Sequence, residues 1–163
     1  MVNMDKILEL VIERDASDVH LICGNKPILR IARELEPIEE MEVLTPEDMN
    51  EIYDEMYKAD VIVLACPVYF YTWPSLMKRM IDRTFAIEDS MDKKIFYLLS
   101  AAATRKEINV QTMIKCFRQY ISCFGENGSE EGGIIFAYDT RKTDDVKNMH
   151  DILNKVYEMG KNV

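Results

Sequence analysis

Residues 59–83 read ADVIVLACPVYFYTWPSLMKRMIDR, and this stretch decides the fold. Val61 to Cys66 is a continuous apolar run rich in β-branched residues, short enough for a strand and apolar enough to be buried on both faces. Pro67 has no N–H to continue a ladder and stops the strand. Tyr69, Phe70, Tyr71 and Trp73 follow, four aromatics in five residues. Pro74 suits a helix first turn, with Ser75 an alternative N-cap. Leu76, Met77, Met80, Ile81 and Thr84 then recur at helical spacing, with Lys78, Arg79, Asp82 and Arg83 on the other side. Strand, aromatic loop and amphipathic helix make one βα unit of a parallel sheet. Such sheets bind ligands in the crevice at the carboxyl ends of their strands, where the aromatic loop sits.

Downstream the pattern repeats. Ile95 to Leu99 reads as a second buried strand, and Ser100 to Glu107 (SAAATRKE) as a small-residue loop. A helix is expected from about Glu107 to Phe124, its apolar face formed by Ile108, Met113, Phe117, Tyr120, Ile121 and Phe124. Gly125 to Gly133 reads as a surface loop, Ile134 to Tyr138 as a third strand, and Asp144 to Gly160 as a last helix. Strands alternating with helices predict right-handed crossovers in a parallel sheet.

Upstream the chemistry changes. Met4 to Glu13 carries a helical stripe of Ile7, Leu8, Val11 and Ile12, broken at Ser17-Asp18. Val19, Leu21 and Cys23 alternate like a strand, Gly24-Asn25-Lys26-Pro27 is a turn, and Ile28–Ala32 and Leu35–Ile38 read as further strands. This is an α+β module. The seam is Leu44-Thr45-Pro46-Glu47-Asp48, where Thr45 is a natural N-cap, Pro46 a first helical residue and Asp48 a carboxylate near the third position. The helix runs to about Lys58 with Met49, Ile52, Tyr53 and Met56 inward. The predicted domains are residues 1–45, the α+β module, and 46–163, the parallel α/β part.

The net charge is −9, and it belongs to the front: residues 1–58 hold 6 Lys/Arg and 15 Asp/Glu, residues 59–163 hold 14 of each. With no basic footprint, nucleic-acid binding is not expected. No apolar run approaches the roughly 18 residues of a membrane span, and MVNMDKILELVIERD has charges throughout, unlike a signal peptide. Cys23, Cys66, Cys116 and Cys123 have no C-x-x-C spacing, which argues against zinc or iron–sulfur ligation and for a reduced, cytoplasmic setting.

The stretch from Ala59 to Phe85 resembles the third strand and following loop of the flavodoxin-like NAD(P)H-dependent FMN reductases: a strand, Pro-Val-Tyr-Phe, then a helix reading Met-Lys-x-x-Ile-Asp-Arg. The resemblance extends back to about Glu47 and forward through KKIFYLLSAAATRKE to YEMGKNV. It implies a partial flavodoxin-like, three-layer parallel sheet behind an N-terminal α+β module. It also implies FMN, with NAD(P)H as co-substrate and a small-molecule electron acceptor. Ring contacts fall on Pro67, Val68, Tyr69, Phe70, Tyr71, Thr72 and Trp73, and on Ala102, Ala103 and Thr104 of the second loop. The alternative for Phe70 and Trp73 is packing in a core or dimer interface. The family's Gly-Ser-Pro-Arg…Gly-Asn-Thr phosphate loop has no counterpart; Gly24-Asn25-Lys26 is a faint echo, read as an ordinary turn. The front, ASDVHLICGNKPILRI followed by LEPI and LTPED, resembles instead the N-terminal domain of type IV pilus retraction and type II secretion ATPases. No G-x-x-x-x-G-K-[ST] occurs, so only a packing or assembly role is implied.

The remaining candidates are bland. His20 reads as structural and Cys66 as an inert core thiol. Lys93-Lys94 and Arg105-Lys106 read as solvated faces, with attraction of a nucleotide phosphate the sharper alternative. The leading expectation is an FMN-dependent NAD(P)H oxidoreductase domain of quinone, flavin or nitro reductase type with weakened cofactor binding. The rival is a non-catalytic interaction protein. Val61–Leu64 would be an unprotected sheet edge, so Val19–Cys23, Ile28–Ala32 or a second copy in a homodimer is expected to cover it.

Overall fold

The computed structural model describes residues 3–16, 18–32, 34–124, 126, 128–142, 144–161 and 163. Ser17, Arg33 and Gly125 lie outside the described residues, as do the side chains of Met49 and Ile52. The chain divides into two compact units, Met1–Glu55 and Met56–Val163.

The first unit holds α1 (Met4–Glu13) and an antiparallel sheet of β1 (Asp18–His20), β2 (Ile28–Ile31) and β3 (Glu34–Pro37) in that order. Leu10, Leu29 and Ile38 form its core. The strands are shorter than expected: Leu21 to Cys23 leaves the ladder, because Gly24 at φ +86° turns the chain and its N–H donates to Leu44 O at 2.8 Å. Helix α2 (Pro46–Lys58) starts with the expected capping box. Thr45 N and Oγ1 donate to Asp48 Oδ2 at 2.8 and 2.9 Å, and Asp48 N returns a bond to Thr45 Oγ1 at 3.2 Å. The Thr45 donors hold the Asp48 carboxyl down from 3.8 to about 2. The box therefore contributes in full above pH 3.8 and is lost as pH falls through 2.

The second unit is a parallel sheet in the order β4 (Val61–Pro67), β5 (Ile95–Ala102), β6 (Glu130–Tyr138). Helices α3 (Ser75–Arg83) and α4 (Gln111–Ser122) make the two crossovers, and α5 (His150–Gly160) follows β6. Short 3-10 turns at Thr84–Ser90, Glu107–Val110 and Val146–Asn148 replace parts of the expected helices. This leaves Ile108 exposed and buries Val110 instead. Ile62, Leu64, Phe96, Leu98 and Phe136 bury one face of the sheet against Met113, Phe117, Ile121 and Phe124. Phe96 stacks on Phe124 with centroids 5.7 Å apart and meets Tyr120 edge-on at 5.8 Å.

The other face corrects two expectations. Gly132 and Gly133 belong to β6, not to a loop. A Cβ on Gly132 would fall 2.4 Å from the Tyr97 ring, and one on Gly133 would fall 2.9 Å from Met159 Sδ of α5. The strand is bare there because a tyrosine lies across it. Nor is β4 buried on both sides: Ile62 and Leu64 are buried, while Val63 is 52% exposed and Ala65 is exposed. Helix α5 packs on β6, leaving the β4 end of that face open. Among the described residues β4 pairs with β5, and β1 and β2 pair within their own sheet.

Lys94, expected on a solvated face, is 5% exposed. Its Nζ donates to the carbonyls of Tyr57 and Ala59 at 2.7 and 2.8 Å, at the carboxyl end of α2 where a cation is favoured. Its own N–H donates to Ser129 Oγ, which donates to Met91 O, and its carbonyl accepts from Glu130 N. Replacing Lys94 by Ala removes two charge-assisted bonds. The expected loss is about 3–6 kcal/mol of stability in urea unfolding, since each such bond contributes about 1.5–3 kcal/mol.

Candidate functional site

The carboxyl ends of β4 and β5 lie side by side, and the loops leaving them are tied together by Val68 N donating to Ala101 O at 2.9 Å. Beyond Val68 the chain makes a two-residue turn: Tyr69 N and Thr72 N exchange bonds with Thr72 O and Tyr69 O at 3.1 and 3.2 Å. Its central residues, Phe70 and Tyr71, have φ of +47° and +72°. Hairpin turns of this hand favour Asn and Gly there. Two aromatic residues in the left-handed region cost on the order of 1–3 kcal/mol each.

The turn holds its aromatics outward. Phe70 is 97% exposed, and Tyr69 and Tyr71 are each more than half exposed. Trp73 goes the other way. It is buried with its ring edge-on to Phe117 at 6.5 Å, and so anchors the loop in the core. Thr72 Oγ1 sits 3.8 Å from Cys116 Sγ, also inward. Pro67 ends β4 as expected. Core packing thus holds for Trp73, while Phe70 lies outside the core.

The second loop starts later than expected, because β5 continues through Ala101 and Ala102. Ala102 is buried and its carbonyl accepts from Thr140 N, whereas Ala103 is exposed. Thr104 Oγ1 accepts from Lys106 N and Asn109 Nδ2 at 3.1 and 2.8 Å, and Thr104 O accepts from Asp139 N at 2.9 Å. Tyr69, Phe70 and Tyr71 thus follow the end of β4, and Ala103 and Thr104 the end of the adjacent β5, while Val68 and Trp73 pack on the core and Thr72 and Ala102 also turn inward.

Past β6, Asp139 at φ +57° accepts from Arg105 Nε at 2.7 Å and pairs with Arg141 Nε at 3.5 Å. Arg105 holds its carboxyl below the ordinary range. This cluster joins the sheet ends to the site, and only the Arg105 half of it was visible in the sequence. Gly24-Asn25 offers no phosphate cradle: Gly24 N is bound to Leu44 O, and Asn25 N to Ile22 O. His20 Nε2 lies 3.1 Å from Arg30 Nη2, a structural contact.

The arrangement is that of a flavodoxin-like α/β layer with its ligand crevice at the strand ends. The model of the family described as NADPH-dependent FMN reductase matches residues 5–116, well over half of the sequence. The chain belongs to that family. An iron-sulfur flavoprotein of Methanosarcina thermophila is 34% identical over 62 residues, 36% of this chain and 32% of its own length. The chain thus spans about a third of the length of that relative. Among solved structures, the Trp repressor binding protein from Bacillus subtilis superposes with a TM-score of 0.55 at 16% identity, over 72% of this chain and 70% of its own. A thermophilic tryptophan halogenase from "Streptomycin violaceusniger" gives 0.50 at 15%, over 67% and 73%. At those identities the likeness is one of fold.

Family membership assigns FMN as the cofactor. The residues present fit its ring: exposed aromatic faces at 69–71 stand beside the small, exposed Ala103. In the first loop the N–H groups of Val68, Tyr69 and Thr72 are already engaged by carbonyls and are not free for a phosphate. Cys66 lies beneath, its thiol pushed up from 9.0 to about 12 by burial. Alkylation at pH 8 is therefore expected to modify the exposed Cys23 and Cys123 quickly and Cys66 only on unfolding, as read by peptide mass spectrometry.

Proposed function

We propose that this chain is a flavin-dependent NAD(P)H oxidoreductase domain acting on a small-molecule electron acceptor, of the quinone, flavin or nitro-compound class. The observation that carries the reading is the strained turn presenting Phe70 and Tyr71 beside Ala103 at adjacent strand ends. FMN, when bound, supplies hydride acceptance and onward electron transfer. The protein's part is to bind and orient. Phe70 and Tyr71 would hold the ring and Ala103 would leave it room beside the backbone, while Trp73 with the Val68–Ala101 bond fixes the loop. No side chain is assigned a proton. A second reading, a non-catalytic interaction protein, is favoured by the missing phosphate donors alone. In both readings residues 1–45 are an appended packing module like that of the pilus ATPases, fused to the flavodoxin-like part, 46–163. The setting is cytoplasmic; among the described residues no helix is long and apolar enough to cross a membrane.

The visible absorption spectrum of the purified protein, with and without added FMN, separates the two readings. Flavin bands that bleach under NADPH without oxygen support the oxidoreductase; a protein that takes up no FMN supports the rival. Affinity is expected to be micromolar or weaker. Each lost phosphate bond contributes on the order of 1.5–3 kcal/mol, so two or three cost several decades in Kd. A nanomolar Kd by calorimetry would show that other residues supply the donors. Phe70→Ala should weaken binding by roughly 0.5–1.5 kcal/mol, the scale of one aromatic contact.

We also propose a homodimer in which two copies of β4 pair edge to edge. Support comes from an outer strand with Val63 and Ala65 exposed and no Lys or Pro before Pro67. Light scattering on the eluted protein is expected to give twice the chain mass, and Val63→Lys to give the monomer. A monomeric parent protein would end this part of the proposal.

A further inference from the structure

Three hydrogen bonds hold Thr104 just past the end of β5. Its Oγ1 accepts from Lys106 N at 3.1 Å and from Asn109 Nδ2 at 2.8 Å, and its carbonyl accepts from Asp139 N at 2.9 Å. A hydroxyl oxygen has two lone pairs and one proton. Both lone pairs of Oγ1 are taken by donors, so the hydroxyl has only a donor's role left. With Cβ and the two incoming donors around the oxygen, the proton is confined to the remaining tetrahedral position. Among the described residues no acceptor takes that proton. The inward hydroxyls nearby differ: Ser100 Oγ donates to Cys66 O at 2.6 Å, and Thr72 Oγ1 lies 3.8 Å from Cys116 Sγ. Thr104 is half-buried and follows the exposed Ala103, at the strand ends where such sheets bind ligands. Asn109 is half-buried as well, in the short Glu107–Val110 turn that leads into α4. Its backbone N–H donates to Lys106 O at 3.0 Å, so main chain and side chain together close the loop.

We infer that Asn109 is a positioning residue: by donating to Thr104 Oγ1 it makes that hydroxyl a fixed donor to an acceptor atom on the edge of the ring bound in the crevice. The inference rests on the oxidoreductase reading and adds a polarity to it. The aromatic turn offers ring faces and Ala103 offers room, and neither distinguishes a charged ring from a neutral one. A hydroxyl donor does. Hydride from the nicotinamide carries two electrons and one hydrogen to the ring, which gains one negative charge while the nicotinamide leaves as a cation. A hydrogen bond to a charged acceptor is roughly twice as strong as one to a neutral acceptor. Thr104 therefore favours the reduced ring over the oxidised one. Without the Asn109 amide, Oγ1 regains a lone pair, and the hydroxyl is free to turn to water or to accept a bond instead of donating one.

Two measurements on the full chain test this. The first needs no flavin: heteronuclear NMR of the Asn109 side-chain amide, assigned by its loss in Asn109→Ala. One Nδ2–H signal is expected to shift and to exchange faster with water in Thr104→Val, and to keep its place in Thr104→Ser. An amide that does not respond to Thr104→Val would overturn the inference, because the amide oxygen would then be the end facing Thr104 and taking its proton. The second is the ratio of the Kd for oxidised FMN to that for reduced FMN, titrated without oxygen. Thr104→Val and Asn109→Ala are each expected to lower that ratio by about fivefold, and Thr104→Ser to hold it within about twofold. In the Thr104→Val background Asn109→Ala should add nothing further. A loop that is merely loosened would weaken both forms alike and leave the ratio unmoved. That result would overturn the inference and leave the oxidoreductase reading standing. A parent protein that binds neither form of FMN would end that reading, and this inference with it.

Discussion

A buried ammonium sets the frame of the parallel unit. Lys94 enters the floor of the sheet with no carboxylate partner among the hydrogen bonds described, held by two carbonyls at the end of α2. Burying a cation is unfavourable unless every donor is directed, so the end of α2 and the starts of β5 and β6 must hold their places around it. Ser129 extends the restraint to Met91. From there the three strands run in parallel to their carboxyl ends, where the aromatic turn and the loop at Thr104 emerge. The geometry of the site is inherited from the opposite end of the sheet.

Much of this unit was legible because its hydrophobic periods are strong. The βα unit from Val61 to Arg83, the second strand and the α4 core positions Met113, Phe117 and Ile121 follow from spacing alone. What failed, failed for identifiable reasons. Val61–Cys66 is uniformly apolar, yet its exposed face can be known only from which neighbours are present; composition records affinity for a core, not the supply of one. Gly132-Gly133 looked like a loop because glycine disfavours strands. It is strand because the Tyr97 ring needs the space. Lys94 beside Lys93 reads as surface, and only the three-dimensional approach of α2 supplies its acceptors.

The candidate site was legible in outline and not in detail. An aromatic loop and a small-residue loop at successive strand ends mark the crevice, and both are there. The split of Trp73 from Phe70 is invisible in sequence, since both are large and apolar; it is set by the left-handed turn that separates them. Asp139, which organises Arg105 and Arg141, gave the faintest signal: an aspartate just past a strand, a residue type that tolerates positive φ. The family match begins at residue 5, within the front unit, although the sheet there is antiparallel. Sequence kinship and local architecture therefore part company over the segment where the phosphate loop would be sought.

The turn at Phe70-Tyr71 has an evolutionary meaning. Asparagine and glycine would relax its backbone and leave the fold more stable, while stripping two aromatic faces from the crevice. Drift under selection for stability alone runs in that direction. A chain with Asn-Gly at this turn would keep the scaffold and lose the two exposed ring faces, so the backbone strain is the cost of holding those faces at the strand ends.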